Sequence, residues 1–253
     1  MARPVTLITG ASAGLGAEFA RQCARRGEDL VLVARRRDRL EALAAEIGGT
    51  SHILVADLAR AGAAASLIAE IEAEGLSVGC LINNAGFGLA GKFAVRPLDR
   101  FGEMIDLNVR TLVELCHIVL PAMRARGAGA ILNVASTAAF QPGPNMAVYY
   151  ATKAFVLSFT EALHHELKGS GIRVSALCPG PTATEFGEVA LASPSSSLRL
   201  ITADAQGVVR AGLKGLDRNK AVVIPGLANK GTANISRFLP RAAMRRIVGA
   251  IKV

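Results

Sequence analysis

Tryptophan is absent from this chain and tyrosine occurs twice, so that Phe, Trp and Tyr together make up only 4% of 253 residues. Proteins that hold single-stranded nucleic acid set aromatic rings among their cations to stack bases. The two basic clusters of this chain contain a single aromatic between them, Phe238, and no nucleic-acid partner is expected. Long apolar runs are missing too. Mean hydropathy is positive, but the excess is alanine and glycine, and nothing approaches the ~20 apolar residues of a membrane-spanning helix. The four cysteines, Cys23, Cys80, Cys116 and Cys178, form no C-x-x-C and fall inside apolar patterns, as buried thiols do and disulfide frameworks do not. The four histidines offer no better ligand set, since His164 and His165 are adjacent and leave a helix on different faces. No metal is expected. Only Met1-Ala2-Arg3-Pro4 precedes the apolar run from Val5, without the charge, hydrophobic stretch and cleavage site of a leader, which predicts a cytoplasmic protein.

What is present is alternation. Short, nearly continuous apolar runs recur at Val5 to Thr9, Leu30 to Val33, His52 to Val55, Cys80 to Ile82, Ala130 to Val134, Arg173 to Leu177 and Ala221 to Ile224, separated by helical spacings of Ala and Leu. Strands apolar on both faces belong to parallel sheets covered on both sides, and right-handed crossovers make such a sheet doubly wound. The expected fold class is therefore α/β: one Rossmann-type domain over residues 1–253, a seven-stranded parallel sheet with helices on both faces. Residues 185–200, with Pro194 and four serines, break the alternation and are expected to form a lid over substrate. The net charge of +9 comes mainly from Arg35-Arg36-Arg37-x-Arg39 and from the stretch between Lys230 and Lys252, within a basic extension of about residues 226–253.

The first strand runs into Thr9-Gly10-Ala11-Ser12-Ala13-Gly14-Leu15-Gly16 and then a helix. Glycines at such a turn let a pyrophosphate approach the backbone, where the free N–H groups and positive end of the helix meet its charge. At the end of the second strand, where an acid would bond the ribose hydroxyls of NAD, stand Ala34, Arg35 and Arg36. An acid there repels a 2′-phosphate, whereas arginine binds it in a fork. The expected cofactor is NADP(H) in preference to NAD(H). Asp57, closing the third strand, can cap a helix and also lies at the sheet edge where an adenine is held.

Tyr149 and Lys153 are four residues apart in a helical stretch, and Tyr150 is three from the same lysine, so spacing allows either phenol to meet the ammonium. A cation about 4 Å from a phenol at an effective dielectric of about 20 lowers its pKa by roughly 3 units, enough to make it an acid/base near neutral pH. Taken alone, such a pair more often packs in a core or interface. Its company decides otherwise: Ser136 ends the fifth strand, on the same sheet edge as the glycine loop.

With these residues the chain resembles the short-chain dehydrogenase/reductase family. It carries T-G-x-x-x-G-x-G at Thr9 to Gly16, N-N-A-G at Asn83 to Gly86, the serine at Ser136, Y-x-x-x-K at Tyr149 to Lys153 and P-G-x-x-x-T at Pro179 to Thr184, in order and at family spacing. The resemblance, closest to NADP-preferring bacterial ketone and alcohol dehydrogenases, selects Tyr149 as the acid/base. Lys153 is then the group that tunes it and bonds the nicotinamide ribose. Ser136 holds the substrate oxygen, and Asn108 anchors a water on the proton path. It further implies cofactor contacts from Gly10, Ser12, Gly14, Leu15 and Gly16, from Arg35 and Arg36, from Asp57 and Leu58, from Asn84, Ala85 and Gly86, and from Pro179, Gly180, Thr182 and Thr184. Ala13 departs from relatives that place a basic residue there, leaving a 2′-phosphate to Arg35, Arg36 and Ser12. Candidates for the substrate pocket are Phe87, Leu89, Phe140, Gln141, Pro142, Met146 and Phe186, mostly apolar, which favours a bulky hydrophobic ketone or its secondary alcohol over a small acid. A homodimer or homotetramer is expected by the same resemblance. The competing reading is an NADP-binding regulatory or scaffold protein without turnover, which gives no role to a tuned phenol.

Overall fold

The computed structural model describes residues 2–182, 203–236 and 238–250. Seven parallel strands form one sheet in the order β3-β2-β1-β4-β5-β6-β7: β1 (Arg3–Thr9), β2 (Leu30–Ala34), β3 (Ser51–Val55), β4 (Leu76–Asn83), β5 (Gly129–Val134), β6 (Ile172–Leu177) and β7 (Val222–Val223). Successive side chains of a strand point to opposite faces, and the apolar runs accordingly divide between two cores. Leu7, Val31, Val33, Leu81, Ile131 and Val174 pack with α3 (Ala63–Ala73), α5 (Thr111–Arg126) and α6 (Ala147–Glu166). Ile8, Leu30, Leu32, Ile82, Leu132 and Leu177 pack with α1 (Gly14–Arg25), α2 (Arg37–Ile47) and α7 (Ala205–Asp217). The expected doubly wound α/β fold is what the chain adopts.

Three strands depart from their expected extents by more than one residue, the first being β1, which starts at Arg3 rather than Val5. β4 starts at Leu76 rather than Cys80, because Arg3, Pro4 and Val5 pair with Leu76, Ser77 and Val78 ahead of a register shift between Val5 and Thr6. Ser77 and Gly79 hide those residues from a search for apolar runs. β7 shrinks to the two residues that pair with Ala176 and Leu177.

Strand order reverses between β1 and β4, and the crevice at the carboxyl end of such a reversal is where ligands of these sheets bind. Three loops meet there, those after β1, β4 and β5. Beside them runs the helix α4 (Leu98–Ile105), continued through a π turn at Asp106–Arg110 into α5. Ala90, Phe101, Met104, Ala138, Met146 and Tyr149 form a third, smaller apolar cluster over this edge. Beyond β7 lie α8 (Leu227–Ile235) and α9 (Arg241–Ala250).

Candidate active site

The glycine loop is fastened to the loop after β4. Thr9 Oγ1 accepts from the Asn84 and Ala85 amides, both at 3.0 Å, and Asn84 Nδ2 donates to the carbonyls of Thr9 at 3.0 Å and Gly10 at 3.3 Å. Gly10 has φ of +67°, and a Cβ on it would lie 2.9 Å from Ala85 Cα. Gly16 packs on the Gly10 carbonyl with no room for a Cβ. These contacts require glycine and hold the turn open for a ligand. α1 starts from Ala13 with no side-chain cap and no acid in its first turn, so its leading N–H groups and positive end face the crevice uncompensated by side chains. The cradle fits a pyrophosphate.

At the end of β2, Arg36 Nη2 donates to Ser12 Oγ at 3.2 Å, and Arg35 beside it is exposed. The groups expected to hold a 2′-phosphate are therefore adjacent across two loops, with Ala34 in the position of an acid. Asp57 does not cap a helix. Its Oδ1 accepts from the Ala59 amide at 3.2 Å within a turn, and α3 begins later, from Gly62. Leu58 is buried, its carbonyl accepting from the Thr111 hydroxyl.

Tyr149 and Lys153 lie on successive turns of α6, 8% and 5% exposed. The Tyr149 phenol hydrogen-bonds the Ser136 hydroxyl, whose Oγ also accepts from the Ala138 amide at 3.1 Å. Ser136 is pinned by its neighbours, since the Ala135 amide donates to Leu177 O at 2.8 Å and the Thr137 amide to Pro179 O at 2.9 Å. Lys153 Nζ donates to Val134 O at 2.8 Å and stands 5.9 Å from the centroid of the Tyr149 ring. Asn108, 1% exposed on the π turn, accepts from the Phe87 amide and donates to the Phe87 carbonyl, both at 3.0 Å, and donates to Thr152 Oγ1 at 3.1 Å. A Cβ on Gly86 would sit 2.8 Å from Asn108 Oδ1 and 3.6 Å from Lys153 Nζ, so these three residues share one corner. Tyr150 lays its ring over the backbone of Gly143 and meets the Tyr149 ring edge to face, with centroids 6.1 Å apart.

The expected lowering of the phenol is not what the protein alone provides. Burial pushes Tyr149 up to about 12, against a smaller opposing effect of the Ser136 hydrogen bond. Burial pushes Lys153 down to about 8. Removing both groups from water favours the neutral form of each, and the ammonium spends its hydrogen bond on Val134 rather than on the phenol.

Of the expected substrate lining, Phe87 and Met146 join the cluster around Tyr149. Phe140 packs instead against the core beneath α6, and Gln141 is half-buried at the end of the 3₁₀ turn Thr137–Phe140. The Arg100 guanidinium lies 5.1 Å from the centroid of the Phe87 ring and pairs with Glu103. Thr182 donates to Gly180 O at 2.9 Å. Thr184, Phe186 and the expected lid lie outside the described residues. Sequence reasoning missed Thr9 and Thr152 as the groups that tie the loops together. It also missed Asn229, which donates to Pro225 O at 2.8 Å and fills the space a Cβ on Gly180 would take. A threonine ending β1, one residue before Gly10, was the available signal for the first. Among the described residues no three His, Cys, Asp or Glu side chains converge as metal ligands, and no helix is long and apolar enough to cross a membrane.

A family model described as short chain dehydrogenase matches residues 4–193. Sulfoacetaldehyde reductase 2 of Chromohalobacter salexigens is 41% identical over 186 residues, 72% of this chain and 74% of the relative. Among solved structures, a short-chain dehydrogenase from Sphingobium yanoikuyae in complex with NADPH is 37% identical, with a TM-score of 0.80 over 98% of this chain and 96% of that one. The bulky-bulky ketone specific alcohol dehydrogenase from Comamonas testosteroni is 32% identical, with a TM-score of 0.79 over 100% of this chain and 96% of that one.

Proposed function

Since the chain belongs to the short-chain dehydrogenase family, we propose that it is an NADP(H)-dependent oxidoreductase that reversibly reduces hydrophobic, bulky ketones to secondary alcohols. The observation that carries this reading is the hydrogen-bonded pair of Ser136 and Tyr149 with Lys153 one turn away. The Gly10 to Gly16 loop would hold the pyrophosphate, Arg35, Arg36 and Ser12 the 2′-phosphate, and Lys153 the nicotinamide ribose. NADP(H), when bound, supplies the hydride and takes it back in reverse.

The chain's own residues handle the oxygen and its proton. Ser136 donates a hydrogen bond to the carbonyl oxygen as negative charge develops there. Tyr149 gives that oxygen its proton and recovers it from the alcohol in the reverse direction. A neutral phenol, held so by burial, is the form that can donate. The phenolate left behind is balanced by Lys153, which takes up or releases a proton near pH 8 and is next to the Asn108 corner. The apolar cluster of Phe87, Met146, Phe101 and Met104 supports a hydrophobic substrate. The name of the sulfoacetaldehyde reductase relative points to an anionic aldehyde instead, and Arg100 stands at Phe87; its charge, however, is already paired with Glu103.

Loss of reduced-cofactor absorbance with bulky aryl and lipid-like ketones, with sulfoacetaldehyde, and with NADPH or NADH tests the reading. It expects faster consumption of NADPH with the bulky ketones, and a selective rise of the NADPH KM of about tenfold or more in Arg36→Ala, the loss of one charge-assisted contact. A preference for sulfoacetaldehyde overturns the substrate class, equal use of NADH overturns the cofactor, and binding of NADPH with no turnover of any carbonyl leaves the scaffold reading.

A further inference from the structure

The C-terminal face carries charge and apolar surface that the active site does not use. Eight of the 29 Lys and Arg follow Asp217, and none of the 20 Asp and Glu does. The first 217 residues are thus within one unit of neutrality, the cluster from Arg35 to Arg39 being balanced by acids elsewhere, and contrary to the expected two-cluster origin nearly all of the +9 sits in the last 36. α8 buries little more than Ala233, and its neighbours in the helix other than Asn229 are exposed. Leu227 at one end is 86% exposed, and Phe238 beyond the other end is 85% exposed. α9 turns Met244 and Val248 inward and leaves Arg241, Arg245, Arg246 and Ile247 in solvent. Large apolar side chains standing in water beside an unbroken set of cations are what a headgroup region accommodates, the cations meeting anionic phosphates and the apolar tips entering the acyl boundary.

We propose that α8, α9 and Phe238 form a docking surface for an anionic lipid membrane. Charge complementarity selects this occupant. A second copy of the same face would set two acid-free, cationic surfaces against each other, which like charges oppose. Nucleic acid would have a single exposed ring, Phe238, on which to stack. The face also adjoins the active site: α8 meets Gly180 through Asn229, and α9 reaches the loop ahead of Tyr149, where a Cβ on Gly249 would touch Pro144 at 3.4 Å. Docking therefore brings the substrate side of the crevice toward the lipid. The proposal rests on charge and exposure alone, so its test does not depend on turnover.

Vesicles of phosphatidylcholine, with and without added phosphatidylglycerol, provide the probe. Because the chain has no tryptophan, Phe238→Trp adds a single indole whose emission reports on its surroundings. The protein is expected to sediment with the anionic vesicles at low salt and not with the neutral ones, and the indole emission to shift to the blue when it does. Replacing Arg241, Arg245 and Arg246 by Gln lowers partitioning by roughly fivefold per cation, and Leu227→Ser also weakens it. The proposal is overturned by equal sedimentation with both kinds of vesicle or with neither. It is also overturned by partitioning that the Gln substitutions leave unchanged, or by a blue shift that grows with protein concentration in the absence of lipid or appears with duplex DNA but not with vesicles.

Discussion

Burial sets the protonation of both ionisable groups on the catalytic face of α6, in opposite directions. Tyr149 is held neutral up to about 12 and Lys153 begins to lose its proton at about 8. Each shift is also a statement about stability. Lys153 has a lowered folded pKa, so between about 8 and its ordinary 10.5 the unfolded chain binds a proton that the folded one does not. Lys153 therefore contributes stability that rises with pH across that window and is lost as pH falls through it, while the buried thiols of Cys23, Cys80, Cys116 and Cys178, all pushed up by burial, act in the opposite sense above their ordinary 9.0. Relative to Lys153→Met the parent should gain stability as pH rises from about 8, measured as the difference between the two proteins in urea unfolding at a series of pH values. A difference that stays constant with pH would show that Lys153 keeps its charge when buried. Tyr149 acts only above its ordinary 10, where deprotonation of the unfolded chain lowers stability as pH rises, so below 10 the difference between the parent and Lys153→Met reports on Lys153 and not on Tyr149.

The elements show what a linear sequence does and does not display. Strand positions were legible because each is a short apolar run between helical spacings, and the glycine loop because three glycines open a helix directly after the first of them. The π turn was not, since Asp106-Leu107-Asn108-Val109-Arg110 has the composition of ordinary helix, and only packing of Asn108 against Phe87 and Thr152 makes the extra residue per turn worthwhile. A second polar set inside the core was equally hidden. Asn83 Nδ2 donates to Asn133 Oδ1 at 2.9 Å and Asn133 Nδ2 to Thr160 Oγ1 at 3.0 Å, joining β4, β5 and α6 at positions where the strand pattern expects apolar residues. A buried network is stabilising only when complete. Asn133→Ala is expected to reduce stability by about 1–3 kcal/mol for each partner left unsatisfied, seen as a lower urea midpoint at an unchanged slope. A midpoint within error of the parent would mean that the network contributes no net stability. The missed strand pairing of Leu76 to Val78 has the same origin: what the backbone gains from β1 is masked in the side chains by Ser77 and Gly79, which interrupt the apolar run.

At the scale of the molecule, two surfaces remain. One is the cationic C-terminal face. The other, among the described residues, is a set of large exposed apolar side chains, Phe93, Val95, Leu98 and Ile105 ahead of and along α4 and Phe155 on α6. Exposed apolar residues in number mark surfaces that are covered in use, and the family resemblance makes a second copy the expected cover. Light scattering is expected to give the mass of a dimer or tetramer, and Leu98→Arg with Phe155→Arg to lower it. A monomeric mass for the parent would remove self-association from the account while leaving the active site intact. The substrate was not legible in the same way as the proposed catalytic groups, because Ser136, Tyr149 and Lys153 are fixed by the sheet edge and helix spacing, whereas the expected pocket lining is spread over loops, with Phe140 half-buried against the core and Phe186 outside the described residues.

The most direct test of the central claim is the rate of NADPH consumption with a bulky aryl ketone by the parent, Tyr149→Phe and Tyr150→Phe. Tyr149→Phe is expected to lose about 10²- to 10⁴-fold in kcat, the range for removal of a general acid, while still binding NADPH, and Tyr150→Phe to stay near the parent. Turnover by Tyr149→Phe at the parent's rate, or an equal loss in Tyr150→Phe, would contradict the assignment of the proton to Tyr149.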